Sequence, residues 1–166
     1  MFLNEKSRKK KISFVVDYRN WAFDYIARSL RSRLKSRFDI EIFYAEDFGG
    51  LSSIDGDLVY NFFWGRKLKD VSPSKLITEV ASWRWLYSDL EINDAEATDL
   101  LIENHLSSSR WVTTPNRRLY DILSKKLDNV HLLPNGIEDQ IYKSQPRRVG
   151  SMVVGWVGNP RDKEKQ

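Results

Sequence analysis

The sequence predicts an α/β fold: a mostly parallel sheet with helices on both faces. Three observations predict it. Short runs rich in β-branched and aromatic residues alternate along the chain with stretches whose apolar residues recur at helical spacing. The first of these runs, "KISFVVD" at 11–17, lacks the in–out alternation of a half-exposed strand, as expected for a strand covered on both faces. The alternating order of strands and helices is that of repeated strand–helix–strand units, whose strands run parallel and whose loops at the carboxyl ends share one edge.

Each element follows in turn. After the first strand, "DYRN" breaks the pattern. From Trp21 to Phe38, Phe23, Ile26, Ala27, Leu30 and Leu34 form one apolar stripe, and Arg28, Arg31, Arg33, Lys35 and Arg37 occupy the other faces. Asn20 is the expected N-cap. "DIEIFYAEDF" at 39–48 alternates and reads as a second strand, followed by turn residues "GGLSSIDG". "DLVYNFFWG" at 57–65 and "PSKLITEVASW" at 73–83 read as third and fourth strands. "DAEATDLLIENHL" at 94–106 reads as a helix capped by Asp94, and "SRWVTTP" at 109–115 as a short strand ended by proline. "NRRLYDILSKKL" at 116–127 is amphipathic through Leu119, Ile122, Leu123 and Leu127. "NVHLLPNG" at 129–136 is a strand stopping at a turn. The polar, basic "KSQPRR" at 143–148 reads as a linker, and a further strand is expected from Met152.

Composition narrows the chemistry. With 166 residues the chain can bury a core without covalent staples. It has no cysteine, which excludes disulfides, thiolate zinc sites and cysteine nucleophiles. No HExxH, Walker loop or GxSxG occurs, and His105 and His131 are not spaced as a metal pair, so no metal is expected. No apolar run approaches the ~18–20 residues of a membrane-spanning helix, and no signal-peptide core is present. A soluble, cytoplasmic protein is expected. The net charge is +4, with a basic cluster at 6–11 that reads as a solvated arm. No groove-reading helix or base-stacking motif accompanies it, so no nucleic-acid partner is expected.

Two clusters fall where loops follow strands. Asp17, Arg19, Asn20 and Trp21 precede the first helix, whose exposed N–H groups favour an anion. They suit either a ligand phosphate or sugar at the cleft, or a capped helix start with Trp21 packed on the sheet. Glu79, Ser82, Trp83 and Arg84 combine a carboxylate, a guanidinium and an indole, which suits sugar recognition: ring C–H faces stack on indole while hydroxyls bond charged groups. The alternative is a surface Glu79–Arg84 pair with the tryptophans in the core. Asn135 and Gly136 suit a tight turn, since both tolerate positive φ.

"RWVTTPNRRLYDILSKKLDNVHLLPNGIEDQIY", a linker, and then "MVVGWVGNP" together resemble the middle of a GT-B glycosyltransferase of the family 4 type. Pro134, Asn135, Gly136, Ile137 and Glu138 match that family's turn at the end of its N-terminal domain. Gly155, Trp156, Val157 and Gly158 match the turn after the first strand of its C-terminal domain. The resemblance implies a Rossmann-like acceptor-side domain over 1–143, a linker at 144–151, and the start of a nucleotide-sugar domain at 152–166. It places Asn135 and Gly136 at an interdomain cleft, and Gly158, Asn159 and Lys163 near the donor phosphate. It implies transfer of a sugar, with retention and without metal, from a nucleotide-sugar donor to a glycan or lipid-linked acceptor, as in polysaccharide biosynthesis. On that view the basic helix face at Arg28, Arg31 and Lys35 could dock weakly on the inner face of the membrane. The glycine pair common in the family's first loop is replaced by Tyr18, Arg19, Asn20 and Trp21, and the acidic donor motif is not in this sequence. The isolated chain is therefore expected to be inactive. The competing reading is a stand-alone α/β ligand-binding or regulatory module without catalysis.

Overall fold

Ile12–Val16 carry no charge, and all five are buried in β1 (Lys10–Val16). A strand that apolar on both sides must lie inside a sheet with cover above and below, and it does so in the computed structural model, which describes residues 8–47, 54–68, 70–83 and 90–136. The chain divides into two compact units after Asn135, and every strand and helix named below lies in the first.

After β1 come α1 (Ala22–Leu34), β2 (Phe38–Tyr44), a 3₁₀ turn at Ala45–Asp47 and β3 (Leu58–Asn61). A second 3₁₀ turn at Pro73–Lys75 leads into β4 (Leu76–Glu79). Then follow α2 (Asp94–Leu101), extended by a π-type turn at Ile102–Leu106, β5 (Trp111–Thr114), α3 (Arg117–Leu123) and β6 (Val130–Leu132). The six strands form one sheet in the order β2-β1-β3-β4-β5-β6, and every neighbouring pair is parallel. This is the Rossmann-like α/β fold that the alternation of elements predicts.

Register assigns the faces. Ile12, Phe14 and Val16 of β1 share a face with Ile40, Leu58 and Tyr60, and α1 packs there through Ala27, Phe23, Ile26 and Leu34. Phe62 closes this cluster, edge-on to Phe14 at 5.4 Å between ring centroids and 4.5 Å from Tyr60. The opposite face carries Val15, Val59 and Leu76 near the middle of the sheet. Val112 and Val130 continue that face beneath α2 and α3, with Leu101, Leu119 and Leu123 above them. Tertiary burial of these stripes stabilises the helices, since α2 and α3 are too short to be stable alone.

Several boundaries differ from expectation, each for a local reason. α1 begins at Ala22 with Trp21 in the cap position and no side-chain cap bond. Asn20, the expected cap, instead sits at φ 58°, a left-handed conformation that asparagine tolerates. The helix also stops at Leu34, because Phe38 already pairs with Lys10. Asn93, not Asp94, caps α2, through a reciprocal capping box with Glu96. Asn116 caps α3 by accepting from Arg118 and Leu119. The runs expected as long third and fourth strands shrink to four residues each. Asn61 ends β3 by accepting from the N–H of Phe63 at 3.2 Å, and Pro73 starts a 3₁₀ turn. Asn135 and Gly136 are exposed, and neither adopts positive φ; the turn expected to run through them into Ile137 lies outside the described residues. Arg84, Gly158, Asn159, Lys163, the linker and the strand expected from Met152 lie outside the described residues.

Gly56 is needed where the chain enters β3. A Cβ there would stand 2.9 Å from the Leu58 carbonyl oxygen and 3.0 Å from the Ser13 hydroxyl. That hydroxyl is committed, donating to the Asp55 carbonyl at 2.6 Å. Gly56→Ala is therefore expected to lower stability by about 1–3 kcal/mol, read as a lower urea midpoint. Gly136→Ala, where nothing lies within 4 Å, should leave that midpoint unchanged.

Candidate functional site

In a doubly wound sheet the ligand crevice forms beyond the carboxyl ends of the strands, where the winding reverses. Here the chain leaves β1 toward β2 and then crosses back to β3 on the other side. The reversal therefore lies between β1 and β3, directly above Asp17. Glu79 ends β4 on the same edge.

Asp24 organises this edge. It lies in the first turn of α1 and is fully buried. One carboxylate oxygen accepts from the backbone N–H of Asn20 at 2.7 Å and pairs with Arg28 Nη2 at 2.8 Å. The other accepts from Arg28 Nε at 2.9 Å and the Tyr44 hydroxyl at 3.0 Å. One carboxylate thus joins the loop after β1, the helix and the end of β2. Sequence reading missed Asp24. The available signal was a charged residue inside the apolar stripe, four residues from Arg28.

Arg19 makes a second tie. Its guanidinium binds Glu46 at 2.8 Å and forms a two-point pair with Asp47, while lying 4.0 Å from the centroid of the Tyr44 ring. The pair holds the Asp47 carboxyl below its ordinary range and the guanidinium above its own. The Arg19 backbone N–H also donates to Glu46, at 3.2 Å. The amides of Arg19 and Asn20, in the loop just before the helix, are therefore already bonded to protein carboxylates. Arg66 reaches from the loop after β3 to the Ala45 carbonyl after β2, spanning the end of β1 that lies between them.

Asp17 remains at the centre of this frame. It is 6% exposed, and its Oδ1 has no hydrogen-bond partner. Burial pushes its carboxyl up, the N–H groups of Tyr18 and Asp17 itself pull it down, and Asp24 and Glu46 push it up further. Three aromatics that follow it in the chain are exposed: Tyr18, Trp21 and Tyr25, at 59%, 47% and 60%. Trp21 holds the cap position of α1 and Tyr25 lies in its first turn, its N–H donating to the Trp21 carbonyl.

The second predicted cluster divides. Trp83 is buried in the core with Trp64, Val80 and Leu101, so its indole packs rather than faces solvent. Ser82 is exposed, and its carbonyl accepts from Trp64 Nε1, tying the loops after β3 and β4. Glu79 is buried, with Oε2 accepting from the Tyr60 hydroxyl at 2.8 Å and Oε1 unpartnered. Tyr60 also lies 2.8 Å from the Thr113 hydroxyl. Among the described residues no group of three potential ligands could hold a metal ion, and no helix is long and apolar enough to cross a membrane.

Burial raises the Glu79 carboxyl to about 6, against the opposing hydrogen bond from Tyr60. The folded protein thus favours its neutral form. This contribution to stability is complete below the ordinary value of 4.5 and is lost as pH rises through about 6. Glu79→Gln is expected to match the parent near pH 4 and to exceed it by about 2 kcal/mol at pH 8, measured by urea denaturation across that range. Substituting Asp24 by alanine should cost about 2–4 kcal/mol at pH 7, because it frees the loop, the helix and Tyr44 together; the same denaturation assay reads it.

No family model matches the chain, and neither the curated proteins nor the solved structures contain a match. The fold is therefore what defines this protein: a six-stranded, all-parallel, Rossmann-like α/β sheet whose carboxyl edge carries two buried carboxylates with unbonded oxygens.

Proposed function

We propose that this chain is the acceptor-side domain of a GT-B glycosyltransferase, holding a glycan or the sugar of a lipid-linked acceptor at the carboxyl edge of its sheet. The observation that carries the reading is Asp17. Its carboxylate, buried with one oxygen unpartnered, follows β1 at the winding reversal of a parallel sheet, and exposed Tyr18, Trp21 and Tyr25 come next along the chain, in the loop and first turn of α1. Sugars bind to that combination, because the carboxylate accepts from hydroxyls while the aromatic faces cover the ring C–H groups. The resemblance of Pro134–Gly136 and Gly155–Gly158 to the family's turns supports the same reading. In it the nucleotide-sugar donor binds to a second domain, whose helix dipole and basic groups stabilise the leaving diphosphate, so this domain alone does not turn over.

The strand order β2-β1-β3-β4-β5 also suits a mononucleotide binder. The charge on the edge opposes it. Asp17, Asp24, Glu46 and Asp47 gather there, and Arg19 and Arg28 are spent on three of them. A phosphate would meet carboxylates where it needs free donors, whereas a neutral hydroxyl meets acceptors.

Immobilised oligosaccharides test the reading. The chain should be retained saturably by a subset of glycans. Trp21→Ala and Asp17→Asn should each weaken retention about tenfold, the loss of one stacking or one charged hydrogen-bond contact. If no glycan holds the chain, or if both variants bind as the parent does, the acceptor reading fails.

A further inference from the structure

Glu79, Tyr60 and Thr113 form a polar cluster that the Asp17 site does not use. They lie on three adjacent strands, β4, β3 and β5, on the face of the sheet that also carries α1. Glu79 pairs in register with Thr113, and Tyr60 stands one row below, so that its long side chain brings the hydroxyl level with both. The Tyr60 hydroxyl donates to Glu79 Oε2 and shares a bond with Thr113 Oγ1, both at 2.8 Å. The phenol is thereby fixed, and burial beside the Glu79 charge holds its ionisation far above the ordinary range. It is a permanent donor that orients one lobe of the carboxylate. The other lobe, Oε1, is left without a partner.

An orphaned carboxylate oxygen in an apolar setting is costly. A glutamine would keep the Tyr60 bond at less cost, so the charge has no evident structural use. Its place does suggest a use: Glu79 is the last residue of β4, at the edge where ligands of such sheets bind. We infer that Glu79, oriented by Tyr60 and Thr113, is a second hydroxyl-binding point for the acceptor, two strands away from Asp17. Strand spacing puts the ends of β1 and β4 about 10 Å apart across the edge, more than one sugar ring spans. The acceptor this deepened reading describes is therefore a saccharide of at least two rings. A neutral hydroxyl suits the cluster better than a cation does. Only one acid is present, among neutral Tyr60 and Thr113, and a single buried carboxylate repays poorly the desolvation of an ammonium or guanidinium. Of the remaining groups on this face, Ile77 and Trp111 are uncharged, and His131 lies one strand beyond Thr113 and is exposed.

The inference rests on the acceptor reading but is separable from it. The probes are methyl α-glucopyranoside and maltose, added to the full chain while backbone amides and the Glu79 side-chain carboxyl are followed by nuclear magnetic resonance. A hydroxyl bonded to Oε1 favours the ionised form. Maltose should lower the Glu79 titration midpoint and should bind about tenfold tighter at pH 8 than at pH 5. Tyr60→Phe, which keeps the ring, should abolish that pH dependence. Maltose shifting the Asp17–Trp21 amides while the Glu79 midpoint stays fixed would overturn this inference and leave the acceptor reading standing. A moved Glu79 midpoint with silent Asp17–Trp21 amides would uphold Glu79 and count against Asp17. If neither responds to either sugar, the same titration is run with a glycan that the immobilised array retains, and a fixed Glu79 midpoint there overturns this inference. An equal shift of Glu79 by the monosaccharide and the disaccharide would refute the two-ring acceptor.

Discussion

The buried carboxylate of Asp24 holds the carboxyl edge in shape. A loop leaving a central parallel strand must turn sharply to start its crossover helix, and Asn20 does so in a left-handed conformation. Such a residue persists only when its surroundings over-determine it. Asp24 supplies the surroundings by accepting the Asn20 N–H from inside the helix while gripping Arg28 and Tyr44. Desolvating a carboxylate is repaid only when every lone pair finds a donor, and here four donor contacts reach it. Arg19, stacked on the same Tyr44 ring, extends the hold to Glu46 and Asp47.

That arrangement changes what the edge can bind. Helix N-termini in such sheets commonly face anions through free amides. Here the two loop amides just before the helix, those of Asn20 and Arg19, are satisfied by the protein's own acids, Asp24 and Glu46. The edge is left as a set of acceptors, with Asp17 and Glu79 each keeping one oxygen unbonded. Such acceptors favour ligands that bring their own donors and disfavour phosphates. The difference arises from side chains on an ordinary fold, where function is decided by the site and not by the topology.

The fold was legible because its signals are periodic and local. β1 reads as a buried strand from five uncharged residues, and α1 reads as amphipathic from Phe23, Ile26, Ala27 and Leu34. What misled was competition at the ends. Asn20 and Asp94 are good cap residues by type, but the local bond from Asn20 to Asp24 and the Asn93–Glu96 box decided the caps elsewhere. Asp17, Arg19, Trp21 and Glu79 were found by their position after strands, which topology alone places on one edge. Their roles were not legible. Whether Arg19 is free or paired depends on Glu46 and Asp47, some 27 residues away in sequence. Trp83 looked like a stacking surface by composition and proved to be core, since the indoles of Trp64 and Trp83 fill the space beneath α2.

The partnership of Tyr60, Glu79 and Thr113 shows why such sites escape sequence reading. Tyr60 and Thr113 are 53 residues apart, and nothing local marks either as polar machinery. In a parallel sheet, however, residues at one level on adjacent strands must share a face, whatever their separation in the chain. A tyrosine, a glutamate and a threonine at neighbouring levels of three strands therefore meet by necessity once the order β3-β4-β5 is fixed. The same geometry makes the cluster rigid, because Tyr60 and Thr113 are paired on both sides and Glu79 is paired with Thr113. A carboxylate so held cannot swing away to find water for its second oxygen. It stays unpaired at a cost in stability unless it takes up a proton, which its burial favours, or bonds to a group brought in from outside.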